Sequence, residues 1–211
     1  MTDLTIAAFD FDRTLTRADS VVPFLRRAAG TGRLAGRLAV RAHRVVPVAI
    51  RRDRDALKAI ATAHALRGLT RADVERLAAG RAAELIAGGL RPDTVARLLW
   101  HRAEGHRTVI VSASYAPYVH LVGAEFGVDA VLATELEFDG SGRCTGRLAG
   151  PNCRADEKVR RLVAWMQADG IARERVTLWA YGDSEGDRAL LDYADHAVWV
   201  GRRLDSVAPS H

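Results

Sequence analysis

The chain alternates between two hydrophobic patterns. Short apolar runs at residues 5–9, 108–112, 130–138, 176–183 and 196–200 are bounded by Gly, Asp, Ser or charged residues. Such runs predict buried strands. Between them, apolar residues recur three and four apart. This predicts helices over 20–29, 33–50, 53–66, 70–87, 92–105, 115–126 and 155–169, with a short one after 183. Gly30, Gly32, Gly68, Gly88 and Gly89 punctuate the first four helices, and Asp53 and Thr70 suit N-caps. The "DGSG" at 139–142 predicts a hairpin returning through 143–148, either as a flap over a site or as an exposed loop.

Strands alternating with helices predict an α/β fold built on a doubly wound parallel sheet. The all-helical stretch 18–88 is too long for a crossover. It reads as an inserted all-helical cap, with 1–17 and 89–211 as the α/β catalytic core.

Composition narrows the classes. No run approaches a membrane span and no secretory leader is visible, so the expectation is a cytoplasmic protein. Cys144 and Cys153 lack metal-ligand spacing and read as reduced thiols. The net charge of +5 favours anionic partners. The basic residues are almost all arginine, with Lys58 and Lys158 the only lysines. Arg33, Arg37, Arg41 and Arg44 form one helical stripe beside Leu34, Leu38, Val45 and Val48, with Pro47 placed to end or kink the helix. The favoured reading packs the apolar face inward and leaves the arginines in water. The other is peripheral contact with an anionic membrane. Nucleic acid is disfavoured as a partner.

Chemistry collects where strands end. Asp10 and Asp12 follow the first strand, Ser112 ends the second, and Asp183 ends a later one with Asp187 behind it. In open parallel sheets, ligands bind outside the carboxyl ends of the strands. Acids converging there repel one another without a cation. Mg²⁺, which takes oxygen ligands, answers this, through the carboxylates of Asp10 and Asp183 and the backbone carbonyl of Asp12.

Four motifs occur in order: "DFDRTLT", "VIVSAS", Lys158 within "RADEKVRRL", and "YGDSEGD". On these the chain resembles the haloacid dehalogenase superfamily, in its phosphoserine-phosphatase-like branch with a helical cap after the first strand. The resemblance spans nearly the whole chain. It implies that Asp10 is a nucleophile forming an aspartyl-phosphate and Asp12 the general acid and base. Thr14 would bond within the loop or to phosphate, and Ser112 and Lys158 would hold phosphate oxygens. Asp183 would bind Mg²⁺, with Asp187 acting on the ion only through another group or water.

The implied function is Mg²⁺-dependent hydrolysis of a small phosphorylated metabolite, with a phosphomutase as the near alternative. An acid at Asp12 separates the chain from related ion pumps, which carry threonine there, and from dehalogenases. Arg13 stands where the family usually has glycine and would bring a guanidinium to the pocket rim. Asp19 replaces the glutamate that pairs with the substrate ammonium in phosphoserine phosphatases. Ser112-Ala113-Ser114 replaces Ser-Gly-Gly, and Gly186 replaces asparagine. These changes disfavour phosphoserine. They leave sugar or cyclitol phosphates open, along with lipid phosphates of the phosphatidylglycerophosphate or lysophosphatidate type. From another class, an anion-binding module using the arginine-rich stretch is the alternative.

Overall fold

The computed structural model describes residues 4–30 and 54–201. The expected helix 33–50, its arginine stripe, Pro47 and the cap Asp53 lie outside them. In chain order the strands are β1 (Leu4–Phe9), β2 (Arg107–Tyr115), β3 (Ala130–Thr134), β4 (Leu136–Phe138), β5 (Cys144–Leu148), β6 (Val176–Gly182) and β7 (His196–Trp199). The helices are α1 (Val21–Ala29), α2 (Arg54–Leu66), α3 (Arg71–Glu84), α4 (Pro92–Ala103), α5 (Ala116–Phe126), α6 (Asp156–Ala168) and α7 (Arg188–Tyr193).

Five strands pair in parallel in the order β3-β2-β1-β6-β7, and β4 and β5 form a separate antiparallel pair. The chain builds outward from β1 through β2 and β3, then returns to add β6 and β7 on the other side. The winding therefore reverses beside β1, the place where an open α/β sheet forms its ligand crevice. Phe9 lies opposite both Ile110 and Tyr181, so three strand ends come level there.

The sheet is apolar because both its faces are covered. Along β1, Ala7 and Phe9 join one buried cluster and Ile6 and Ala8 the other. The first cluster includes α1, α2, α3 and α5 residues such as Phe24, Leu66, Val74 and Tyr118. The second includes Leu162, Met166, Leu190 and Leu191 from α6 and α7. Under the first face, buried His101 bonds the Tyr181 hydroxyl at 2.8 Å and His106 Nδ1 at 2.9 Å. Burial pushes the His101 imidazole down to about 3.

The segments leading into and out of the helical stretch run side by side. Thr16 bridges Leu90, and the Arg17 and Arg91 amides donate to the Gly89 and Leu15 carbonyls. Thr70 caps α3 through a reciprocal box with Asp73. The expected helix 70–87 ends at Glu84 and passes into a single π-helical turn, Leu85–Gly89.

Two expectations change. The run 130–138 is not one strand: the chain leaves the main sheet after Thr134, and Leu136–Phe138 pairs with β5 instead. The hairpin is drawn away by α2. Gly68 and Cys144 bond across it, and Gly146 (φ 79°) lies so close that a Cβ there would sit 2.9 Å from Ala63 Cα. The hairpin thus buttresses the helical stretch instead of folding over the site. The second change is that β2 runs past Ser112 to Tyr115, with a register shift between them. That bulge re-aims side chains at the strand end.

Candidate active site

A cavity of about 450 Å³ opens at the carboxyl ends of β1, β2 and β6. Asp10, Asp12, Arg13, Asp19, Ser112, Lys158, Asp183 and Asp187 all line it. Thr14 does not. It is fully buried off the cavity wall, its carbonyl accepts from Thr94 Oγ1 at 2.5 Å, and its own Oγ1 has no hydrogen-bond partner. The structure therefore gives Thr14 no contact with the space a phosphate would occupy.

β1 ends where the sheet's apolar cover ends, so Asp10 emerges buried, at 6% exposure, with its amide donating to the Tyr181 carbonyl at 2.9 Å. Lys158, from the first turn of α6, donates to Asp10 Oδ1 and, at 2.5 Å, to Asp187 Oδ1. Burial raises the Asp10 carboxyl to about 7 against the pull of Lys158. Burial also opposes the charge on Asp187. Lys158 and the Ser184 donors outweigh it and hold that carboxyl below the usual range. Asp187 Oδ2 accepts from the Asp183 amide, the Ser184 amide and Ser184 Oγ at 3.2, 3.0 and 2.8 Å. Gly182 permits this closeness, since a Cβ there would lie 2.5 Å from Asp187 Cβ.

Asp183 is the contrasting case. No other described residue donates a hydrogen bond to its half-buried carboxylate, and burial and then neighbouring Asp187 raise its pKa against Arg13, Lys158 and its own amide. Oxygens of Asp10, Asp183 and Asp187 lie within 4.8 Å of one another. An all-carboxylate set of this kind fits a hard divalent cation. Asp10 and Asp183 have oxygens to give, whereas both Asp187 oxygens are already engaged.

Asp12 is held differently. Its Oδ1 accepts from the Ser20 amide at 3.0 Å and its Oδ2 from Ser114 Oγ at 2.8 Å. Ser20 Oγ in turn bonds the Tyr118 hydroxyl at 2.8 Å and meets Ser114 Oγ at 3.2 Å. Burial, then the like charge of Asp19, raises the Asp12 carboxyl to about 6. A carboxyl tuned upward and fixed at both oxygens is equipped to give and retrieve a proton near neutral pH. Ser112 Oγ accepts from the Ser114 amide at 3.0 Å, which fixes the hydroxyl at the bulge.

Arg13 has φ 60°. Glycine takes that left-handed conformation freely, whereas an L side chain costs roughly 1–2 kcal/mol. Asp19 lines the cavity while its Oδ1 accepts from the Val22 amide at 2.8 Å, which ties it to the start of α1.

Sequence reasoning missed a connection between the helical stretch and the core. Lys58, on α2, donates to the Ala113 carbonyl and to Asn152 Oδ1 at 2.7 Å. Asn152 donates from Nδ2 to Asp55 Oδ1 at 2.6 Å. Burial pushes the Lys58 ammonium down to about 7. One signal was available: in an arginine-rich chain the only two lysines both line this cavity. Ser20 and Ser114 carried no such mark.

Residues 7–192 match the model of the haloacid dehalogenase-like hydrolases. Protein CicA of Caulobacter vibrioides is 40% identical over 194 residues, covering 90% of this chain and 83% of that protein. A phosphoserine phosphatase of Archaeoglobus fulgidus is 32% identical over 90 residues, 43% of this chain and 25% of that protein. A solved structure of a substrate-bound phosphoserine phosphatase aligns with a TM-score of 0.62 at 18% identity, covering 92% of this chain and 84% of that one. That likeness is one of fold. With the parallel sheet, the helices after β1 and the acids at the ends of β1 and β6, these matches place the chain among the haloacid dehalogenase-like hydrolases.

Proposed function

We propose that the protein is a Mg²⁺-dependent phosphatase that hydrolyses a small phosphomonoester through an aspartyl-phosphate on Asp10. The observation that carries this reading is the convergence of Asp10, Asp12, Ser112, Lys158 and Asp183 on one cavity of about 450 Å³, a size suited to a metabolite. Mg²⁺, held by Asp10, Asp183 and the Asp12 carbonyl, would offset the repulsion between an anionic nucleophile and an anionic ester. Lys158 adds a fixed positive charge on the nucleophile's Oδ1 side, which leaves Oδ2 to attack phosphorus. As the new P–O bond forms and the ester P–O bond breaks, Asp12 donates its proton to the departing alkoxide. Asp12 then takes a proton from water, the resulting hydroxide attacks phosphorus, and Asp10 is released. Dividing the hydrolysis this way replaces one difficult displacement with two easier ones.

The stretch 18–88 serves as the cap of this reading. It contributes Asp19, Val21, Val22 and Leu25 from around α1 and Asp55, Leu57, Lys58 and Ala61 from α2 to the cavity wall. The test is hydrolysis of p-nitrophenyl phosphate by the full chain. Turnover is expected with Mg²⁺, should stop with EDTA, and should be lost in Asp10→Asn by at least about 10³-fold. Undiminished turnover in EDTA, or in Asp10→Asn, refutes the proposal.

A further inference from the structure

Six carboxylates and four cations line the cavity, so a divalent ion brings its formal charge to balance and no general positive field remains. Any anion beyond the reacting phosphate must therefore be held by local cations. Lys158 is committed to Asp10 and Asp187, and Lys58 to Ala113 and Asn152. Arg13 and Arg154 differ: neither guanidinium makes a hydrogen bond or ion pair with another described residue.

Both are placed by local backbone features. Arg13 occupies a left-handed position, held there by its amide donating to Thr16 Oγ1 at 3.1 Å. Its charge still reaches the Asp183 carboxylate. Arg154 lies along Gly186, where a Cβ would come within 3.1 Å of its Nε and 3.4 Å of its Cγ. A strained arginine and a glycine thus both set guanidinium groups beside the loop from Asp183 to Asp187. On the cap side the wall is apolar, with Val21, Val22, Leu25, Leu57 and Ala61, and Asp19 and Asp55 are engaged by the Val22 amide and Asn152.

The geometry points to a second anion subsite formed by Arg13 and Arg154 at the core-side mouth, so that the substrate is a phosphomonoester bearing a further carboxylate or phosphate. This rests on the phosphatase reading. Guanidinium groups suit the task because their forked donors match either anion in two-pronged fashion.

The test is calorimetric binding to the full chain in Mg²⁺ of propylphosphonate, 3-phosphonopropionate and propane-1,3-bisphosphonate. These have the same three-carbon length, and the far end is neutral, carboxylate or phosphonate. The wild type is expected to bind at least one of the two-anion ligands tenfold or more tighter than propylphosphonate, and the tighter of the pair identifies the second group. Arg13→Gly and Arg154→Gln should each shrink that ratio at least threefold. Arg13→Gly should keep or raise the melting temperature, which shows that the lost ratio is not lost folding. A wild-type ratio near one for both ligands, or a ratio that survives both substitutions, overturns the subsite. Hydrolysis of p-nitrophenyl phosphate with a ratio near one removes the subsite alone. A ratio of ten without any hydrolysis removes the phosphatase reading and keeps the anion site.

Discussion

Replacing Lys158 by methionine tests the electrostatic basis of the site. The substitution keeps an unbranched stem in a fully buried position and deletes only the charge that bonds Asp10 and Asp187. What remains is three carboxylates whose oxygens lie within 4.8 Å. At an effective dielectric near 20, each pair at that separation repels by about 3.5 kcal/mol. The full sum is not reached, because one carboxyl can escape by taking a proton. Holding a group of ordinary pKa 3.8 protonated at pH 7 costs about 4 kcal/mol, so the loss is capped near that figure. This agrees with the 3–5 kcal/mol typical of breaking a buried ion pair.

Urea unfolding of Lys158→Met in EDTA at pH 7 should therefore give a stability below wild type by about 3–4 kcal/mol. Mg²⁺ should recover a larger share in the variant than in wild type, since ion and lysine neutralise the same oxygens. The sign with pH follows from Asp187. Lys158 depresses its folded pKa, so wild type holds that stability above the unfolded value near 3.8 and loses it as pH falls through the lower folded one. Wild type also gains stability as pH falls through about 7, where Asp10 takes a proton. Without Lys158 the variant's carboxyls are raised further and gain more, so the gap should narrow between pH 8 and pH 5. A loss under about 1 kcal/mol in EDTA, or a gap constant with pH, would show that the three carboxylates do not share a field.

Other perturbations follow from the same geometry. Asp12→Asn should lower kcat by about 10²–10⁴ for an alkyl phosphate and less for p-nitrophenyl phosphate, whose leaving group needs little protonation; equal losses would remove Asp12 from the acid role. Because the Asp12 proton is lost near pH 6, wild-type turnover of the alkyl ester relative to the aryl ester should decline as pH rises through that value, which a paired pH profile measures. His101 folds neutral while the unfolded chain protonates it below about 6.5. Stability should fall as pH drops from 6.5 toward 3, and His101→Gln should flatten that slope in a series of denaturation curves. Gly146→Ala, which forces a Cβ against Ala63 Cα at a positive φ, should destabilise by more than about 1 kcal/mol, and an unchanged melting temperature would contradict the close approach of hairpin and α2.

Much of this molecule is legible in one dimension. The apolar runs that end in Asp10, Ser112 and Asp183 mark the sheet because a strand covered on both faces must be apolar throughout, and its polar residues can begin only where the cover stops. The capping chemistry at Thr70 and the acid pair in "DFDRTLT" are likewise local: spacing along the chain states them in full. Three-dimensional packing decided what depends on distant segments. Whether residues 130–138 stay in one sheet was settled by α2 holding the hairpin through Gly68, Cys144 and Gly146. Which groups grip Asp12 was settled by a bulge that turns Ser114 inward and by the start of α1 that delivers Ser20. Lys58 meets Asn152 across 94 residues of chain. Hydrophobic period reports which side of a segment is buried, because burial follows from each segment's own composition. It is silent on which buried or polar side chains then face one another, because that depends on how separate elements dock.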